Sequence, residues 1–378
     1  MDFEGYRSQF PITNTYTFMN HAAISAPPVI VARAVQELLH EFTHSGISCY
    51  PKWMKRVEEV RGLASQLIKA SPEEIAFTGN TSEGLSTVAA GLQWKNGDSI
   101  LVPRPEFPAN VYPWMNLERR GVKVHFFDRE DGRFDIGKIE QVLVPGTRLI
   151  SVSSVDFATG YHCDLEALGD YCRRKDLLLC VDAIQSLGVV PMDVKRCGIH
   201  FLAAGGHKWL LSTMGCGFLY ISGEADGLLH PSRVGWKSVV EEEDFFRVHF
   251  DLKPDALRFE SGSMNVAGIY ALGAAMDLIM EVGVENIFRR ITALNDALIR
   301  GLQDRNERII TPLDPGERSG IVSFVPSSDP KALYDYLSQE HMAVSLRNDM
   351  IRLSPHFYNN MDDIHRFFEV LDRFQEQN

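Results

Sequence analysis

Lys208 lies between His207 and Trp209 in a stretch, Phe201 to Tyr220, that is otherwise apolar or glycine-rich. An ammonium among apolar neighbours is costly to keep charged, so its pKa falls toward neutrality. A neutral lysine is a nucleophile suited to Schiff-base formation. The plain alternative is a lysine on an exposed turn. Gly205-Gly206, just before it, read as room for a bound group. Asp182 closes the apolar run Leu177 to Val181. A carboxylate at the end of a buried strand needs a partner, and a protonated ring nitrogen would serve. The alternative is a cap on the next helix.

Two further stretches could complete a site. Thr78-Gly79-Asn80-Thr81-Ser82-Glu83-Gly84 combines backbone freedom with two adjacent hydroxyls at a predicted helix start, where free N–H groups favour a phosphate. A simple N-cap by Thr81 or Ser82 is the competing reading. Arg352 stands inside the apolar Ile351-Arg352-Leu353. Its planar fork matches a carboxylate held at two points, although an arginine on an exposed edge strand has the same sequence. His40-Glu41-Phe42-Thr43-His44 has the zinc-protease spacing. It stands at a helix end with no specified third ligand, so no metal is expected there.

The elements that must position these residues follow from periodicity. Pro27-Pro28 opens a helix, and a second helix covers about Pro51 to Lys69. From Ile75 onward, short apolar strands alternate with helix-period segments. The predicted strands are Ile75–Phe77, Ile100–Val102, Val122–Phe127, Leu149–Ser153, Leu178–Val181, Phe201–Ala203 and Phe218–Ile221. Predicted helices include Glu83–Leu92, Pro108–Arg119 and Leu165–Lys175. This alternation predicts an α/β fold with a mostly parallel central sheet flanked by helices, with ligands at the carboxyl ends of the strands. Two long helices, Val266–Val282 and Glu285–Leu302, lead into a small C-terminal α/β unit. The texture divides the chain into a large domain, 18–265, and a small one, 266–378 together with 1–17.

With 378 residues, 45% hydrophobic and 23% charged, the composition is that of an ordinary globular chain. A net charge of −12 without a basic cluster argues against nucleic acid or an anionic membrane as partner. The N-terminus shows no secretory pattern and no run reaches bilayer length. The six cysteines lack paired spacing, so reduced thiols and a cytoplasmic location are expected.

The order of these motifs (phosphate loop, Asp182-Ala183-Ile184-Gln185, His207-Lys208, late Arg352) resembles the class V aminotransferase family of fold-type I pyridoxal-phosphate (PLP) enzymes, which includes the cysteine desulfurases and isopenicillin N epimerase-like proteins. The resemblance covers nearly the whole chain. It implies that Lys208 holds PLP as a Schiff base and shuttles the substrate α-proton, and that Asp182 pairs with the pyridinium nitrogen. By the same resemblance Gln185 bonds the ring hydroxyl, Thr81, Ser82 and His207 bind the phosphate, and Phe107 stacks on the ring. Arg352 takes the substrate carboxylate. Phe259 to Asn265, with Ser263, reaches a partner's phosphate, which implies a homodimer with shared active sites. Asn20, His21 and Ala23, with Val234-Gly235-Trp236 and His356, are candidates for shaping the substrate pocket.

Two departures bear on the reaction. Desulfurases carry a nucleophilic cysteine shortly before the late arginine, and here none follows Cys216. Phe157 stands where relatives place an asparagine near the ring hydroxyl, leaving Asp156 as a substitute. An aminotransferase acting on an amino acid is therefore the leading expectation. A lyase, an epimerase or a kynureninase-like hydrolase is the alternative on the same residues. A zinc hydrolase and a non-catalytic PLP-fold protein are weaker readings.

Overall fold

The computed structural model describes residues 3–130 and 132–377. Seven strands form the main sheet: β1 (Ile75–Thr78), β2 (Ser99–Arg104), β3 (Lys123–Asp128), β4 (Thr147–Ser153), β5 (Leu178–Asp182), β6 (Phe201–Gly205) and β7 (Gly217–Ile221). Their order is β1-β7-β6-β5-β4-β2-β3. Every neighbouring pair is parallel except the two made by β7. All seven predicted strands are present to within two residues at either end. They are apolar and buried because helices cover both faces.

The helices that matter for the site are α1 (Val29–Ser45), α2 (Tyr50–Ile68), α3 (Thr81–Gly91), α4 (Leu165–Lys175), α5 (Val266–Val282) and α6 (Val284–Asp304). The predicted helix Pro108–Arg119 is instead three short turns, Pro108–Asn110, Tyr112–Met115 and Asn116–Arg120. Pro113 lacks an N–H and clashes with the preceding turn, so a continuous helix cannot pass through it.

A second sheet of four antiparallel strands has the order β10-β11-β9-β8: β8 (Arg308–Ile309), β9 (Val322–Val325), β10 (Ser345–Arg347) and β11 (Met350–Leu353). Helix α7 (Pro330–Gln339) and helix α8 (Met361–Gln377) cover it. The N-terminal segment joins this unit, because Thr17–Phe18 pairs in parallel with Met342–Ala343 and Met19 packs in the C-terminal core.

The large core takes in α5 and continues to Ile287 and Ile291 on α6, whereas Leu294, Leu298 and Leu302 belong to the smaller core. The changeover between the cores therefore runs along α6. Alanines and glycines along α5 let it lie against α1 and α2; a Cβ on Gly273 would stand 2.3 Å from Val60. Among the described residues no single helix is long and apolar enough to cross a membrane.

Candidate active site

At the carboxyl ends of β1, β5 and β6 the large sheet faces the small sheet across a cavity of about 430 Å³. Ala22, Ala23 and Ile24 line it, as do Asn80, Thr81, Ser82, Phe107, Phe157, Asp182, Gln185, His207, Lys208, Arg347 and Arg352.

Lys208 is held from its backbone. Its carbonyl accepts the Leu211 N–H at 2.9 Å and the Ser25 hydroxyl. Leu211 closes this turn in the left-handed region, at φ 57°, a conformation costly for a leucine unless packing over-determines it. The buried side chain makes no ion pair and no side-chain hydrogen bond among the described residues. Burial holds its amine below the usual lysine range, and Arg352 and Arg347 push the same way while Asp182 opposes them.

Asp182 ends β5. One carboxylate oxygen accepts the Ile184 N–H at 3.0 Å, so part of its role is the turn-capping one. No cation among the described residues pairs with it. Burial raises its pKa first of all, and the Glu106 carboxylate adds to that. A buried carboxylate with a free oxygen beside an open cavity has the chemistry to hold a protonated nitrogen.

The helix start differs from the capping reading, in which Thr81 or Ser82 is the cap. Asn80 is the cap of α3, its side-chain oxygen accepting the Glu83 N–H at 2.9 Å. Thr81 and Ser82 are therefore the first helical residues; both line the cavity, and their N–H groups have no backbone partner among the described residues. Thr81 Oγ1 accepts the Gly205 N–H at 2.9 Å, which leaves its own proton to give. Close packing fixes this helix end, since a Cβ on Gly84 would lie 2.7 Å from that of Ala203. Beside it, burial and Lys208 lower the His207 pKa, so the imidazole is neutral near pH 7.

Gly205 and Gly206 do not leave room for a ligand, as the sequence had suggested. Added Cβ atoms would meet the His207 ring at 3.2 Å and Leu272 at 3.0 Å, so these glycines serve chain packing.

Phe107 is 40% exposed at the mouth. Its ring centroid lies 5.5 Å from Lys208 Nζ and 5.4 Å from the Phe157 ring, edge to face. Gln185 donates to the Ala22 carbonyl at 3.0 Å and accepts from the Trp209 indole at 2.8 Å, which leaves one amide proton for a ligand.

Asp156, offered as a ring partner, is not in the cavity wall. One of its oxygens accepts from the Ala158 and Thr159 N–H groups and the Thr159 hydroxyl, and the other pairs with Arg129. Arg129 also meets Glu106 at 3.0 Å, and Glu106 takes the Phe107 N–H at 2.7 Å and the Ser153 hydroxyl at 2.8 Å. This buried cluster ties the Phe107 loop to the Phe157 loop. No local pattern announces it, because Glu106, Arg129 and Asp156 lie on three separate loops.

Arg352, on β11, is 1% exposed. Its guanidinium donates to the Phe157 carbonyl at 2.5 Å and to Ser345 Oγ at 3.4 Å, and Nε has no partner. Among the described residues no carboxylate pairs with it. Arg347, on β10, also lines the cavity and was not foreseen. Its strand is only three residues long and carries little periodic signal.

Of the remaining candidates, Ala23 lines the cavity and Asn20 and His21 do not. Asn20 is bonded to Val344 O and Ser345 Oγ. His21 is bonded to Ser354 O and Tyr358 Oη, both at 2.8 Å, with burial lowering its pKa to about 4. His356 is fully buried, and Val234 and Trp236 are also absent from the cavity wall. Ser263 lines a separate pocket with Gly79, Arg233 and Glu260. His40 and His44 are exposed, and Glu41 is engaged by Lys52 and the Trp53 indole.

Residues 16–367 match the family described as Aminotransferase class-V. A probable cysteine desulfurase of Methanothermobacter thermautotrophicus is 30% identical, with 98% of each chain aligned. An uncharacterized aminotransferase of Bacillus subtilis, YcbU, is 29% identical over 96% of this chain and 95% of its own. The apo structure of a cysteine desulfurase from Thermococcus onnurineus NA1 superposes with a TM-score of 0.89 at 28% identity, covering 99% of this chain and 98% of that one. A match running nearly end to end, on a fold-type I sheet whose strand ends gather Asp182 and Lys208, makes this chain a member of the class V aminotransferase family, whose cofactor is pyridoxal phosphate.

Proposed function

We propose that this chain is an aminotransferase that acts on an amino acid in the Lys208 cavity. The observation that carries the reading is the set of unpaired charges there: an amine, one carboxylate oxygen and a buried guanidinium without a counterion. PLP fits that set. Its ring nitrogen matches the free oxygen of Asp182, its phosphate the N–H and hydroxyl groups of Thr81 and Ser82 beside neutral His207, and its ring face Phe107. Once bound, the cofactor supplies an electron sink for the pair left when the substrate's α-proton is removed.

The chain's own residues do the rest. Burial lowers the Lys208 pKa and so raises its share of neutral amine, the form that adds to an aldehyde. Its Nζ would take the substrate's α-proton and return it. Asp182 would keep a proton on the ring nitrogen, and the remaining Gln185 amide proton would bond the ring hydroxyl. Arg352, its fork oriented by the Phe157 carbonyl, binds the α-carboxylate and orients the α-proton toward Lys208.

The names of the relatives favour a second reading, sulfur removal from cysteine. None of the six cysteines lines the cavity, and burial raises the thiol pKa of Cys163, Cys172, Cys180, Cys197 and Cys216. A persulfide route needs an accessible thiolate, so transamination is the better-supported reading. Single-turnover reaction with an amino-acid panel tests it: transamination converts the cofactor to its pyridoxamine form and releases one keto acid per site. Release of alanine from cysteine, with the sulfur passed to an added dithiol that reduces it to sulfide, and without that conversion, would establish the second reading instead.

We also propose a homodimer in which Ser263 approaches the partner's cofactor phosphate. The exposed apolar side chains Phe245, Phe246, Val248 and Phe250 support it, because a patch of this kind seeks a protein surface. Light scattering that gives a monomer mass would refute it.

A further inference from the structure

The cavity holds one cation more than an ordinary amino acid requires. Lys208 and Asp182 are answered by the cofactor, and Arg352 by the α-carboxylate. Arg347 then remains, half-buried, with its guanidinium bonded only to the Leu346 carbonyl at 3.0 Å and to no carboxylate among the described residues. Its field lowers the pKa of both Lys208 and Arg352. Like charges gathered in one wall destabilise the empty site and strengthen its hold on an anion.

The hairpin explains the placement. Ser345 pairs with Arg352 and Arg347 with Met350 across antiparallel β10 and β11. Side chains alternate faces along a strand, so Ser345, Arg347 and Arg352 share one face, the one turned to the cavity. Arg347 and Arg352 are diagonal neighbours there, roughly 7–8 Å apart at the backbone. The turn residue Asn348 adopts φ 52°, the left-handed conformation that closes a two-residue hairpin tightly. The deeper Arg352 is oriented by a backbone carbonyl, whereas Arg347 is free to meet a second group further out.

From this geometry we infer that Arg347 is a specificity-determining residue, and that the substrates are amino acids or keto acids with a second carboxylate on the side chain, of the glutamate or aspartate type. The inference rests on the reading of this cavity as the amino-acid site but not on transamination. Binding of unreactive acids therefore tests it separately from turnover.

The holoenzyme is titrated with glutarate against butyrate and with succinate against propionate, read by displacement of the visible cofactor band and by calorimetry. The dicarboxylates should bind about ten to a hundred times more tightly than their matched monocarboxylates, the range expected of one added charge-assisted contact. Arg347→Gln should abolish that preference, weakening the dicarboxylates far more than the monocarboxylates, and Arg347→Lys should restore part of it. Equal affinity for both classes in the parent protein would overturn the inference, and so would a parallel loss of both in Arg347→Gln. An unchanged melting temperature of the variant separates these outcomes from misfolding. Failure to release any keto acid in the amino-acid panel would sink transamination and leave this binding result standing.

Discussion

Arg129 and Arg352 are both buried arginines within reach of the same loops, and they stand in opposite electrostatic conditions. Arg129 arrives paired, between Glu106 and Asp156, with those carboxylates satisfied by backbone and hydroxyl donors. Arg61 is similar, answered by Glu58 and Glu260. Arg352 arrives with a carbonyl and a hydroxyl but no carboxylate among the described residues, and burial with Arg347 lowers its pKa. A buried charge is tolerated when the fold completes its partners. Where the fold leaves them incomplete, the missing partner is a ligand. Stability is vested in the first kind of site and binding in the second.

The largest expected effect falls on the unpaired side. Lys208→Ala should lose about 10³-fold or more in turnover, as removal of a nucleophile that is also the base entails, while its unfolding midpoint hardly moves. Borohydride reduction followed by mass spectrometry checks the assignment: a covalent cofactor adduct surviving in this variant would show that another lysine carries it.

On the paired side, Arg129→Met should cost roughly 3–5 kcal/mol of stability in urea unfolding, because it strands two buried carboxylates. Loss of activity at undiminished stability would erase the contrast between the two arginines. Arg352→Gln should do the reverse. The apparent KM for an amino acid should rise about ten- to a hundredfold, the scale of a lost charge-assisted contact, while stability changes by less than about 1 kcal/mol because a desolvated charge leaves with it. A large stability loss there would mean that Arg352 is a structural residue.

The smallest effect sharpens the electrostatics. Arg352 helps to hold the Lys208 pKa down. Removing that cation relieves the repulsion felt by the ammonium, so the folded-state pKa of Lys208 rises and less neutral amine exists at a given pH. The rate at which the apoenzyme takes up PLP, which needs the neutral amine, should therefore shift to higher pH in Arg352→Gln. A profile that stays in place would show that burial alone sets the pKa.

Much of this was legible in the sequence where local chemistry is strong. The strands Leu178–Asp182 and Phe201–Gly205 announced themselves because both faces of the sheet are covered and every position before the last is apolar. Helix α4 began and ended as its periodicity required. Asp182 and Lys208 stood out because a charge at the end of an apolar run has few other reasons to be there. The break at Pro113 could have been read from its missing N–H, and was hidden by a helical apolar period around it. Asn80 as the cap could not be separated from Thr81 and Ser82, since all three residue types cap well.

The sequence by itself therefore determined the sheet, the family's motif order and the central lysine and aspartate. Each rests on contacts between residues near in sequence or on a strand's own burial. Only the tertiary structure decided which charges are compensated. It paired Arg129 with Glu106 and Asp156 from separate loops, withdrew Asn20 and His21 into the structure beneath the cavity, and brought Arg347 into its wall. Compensation is a property of distances between remote side chains, and a linear pattern carries no distances. That is why the residue proposed here to choose the substrate went unread until the hairpin carrying it was folded.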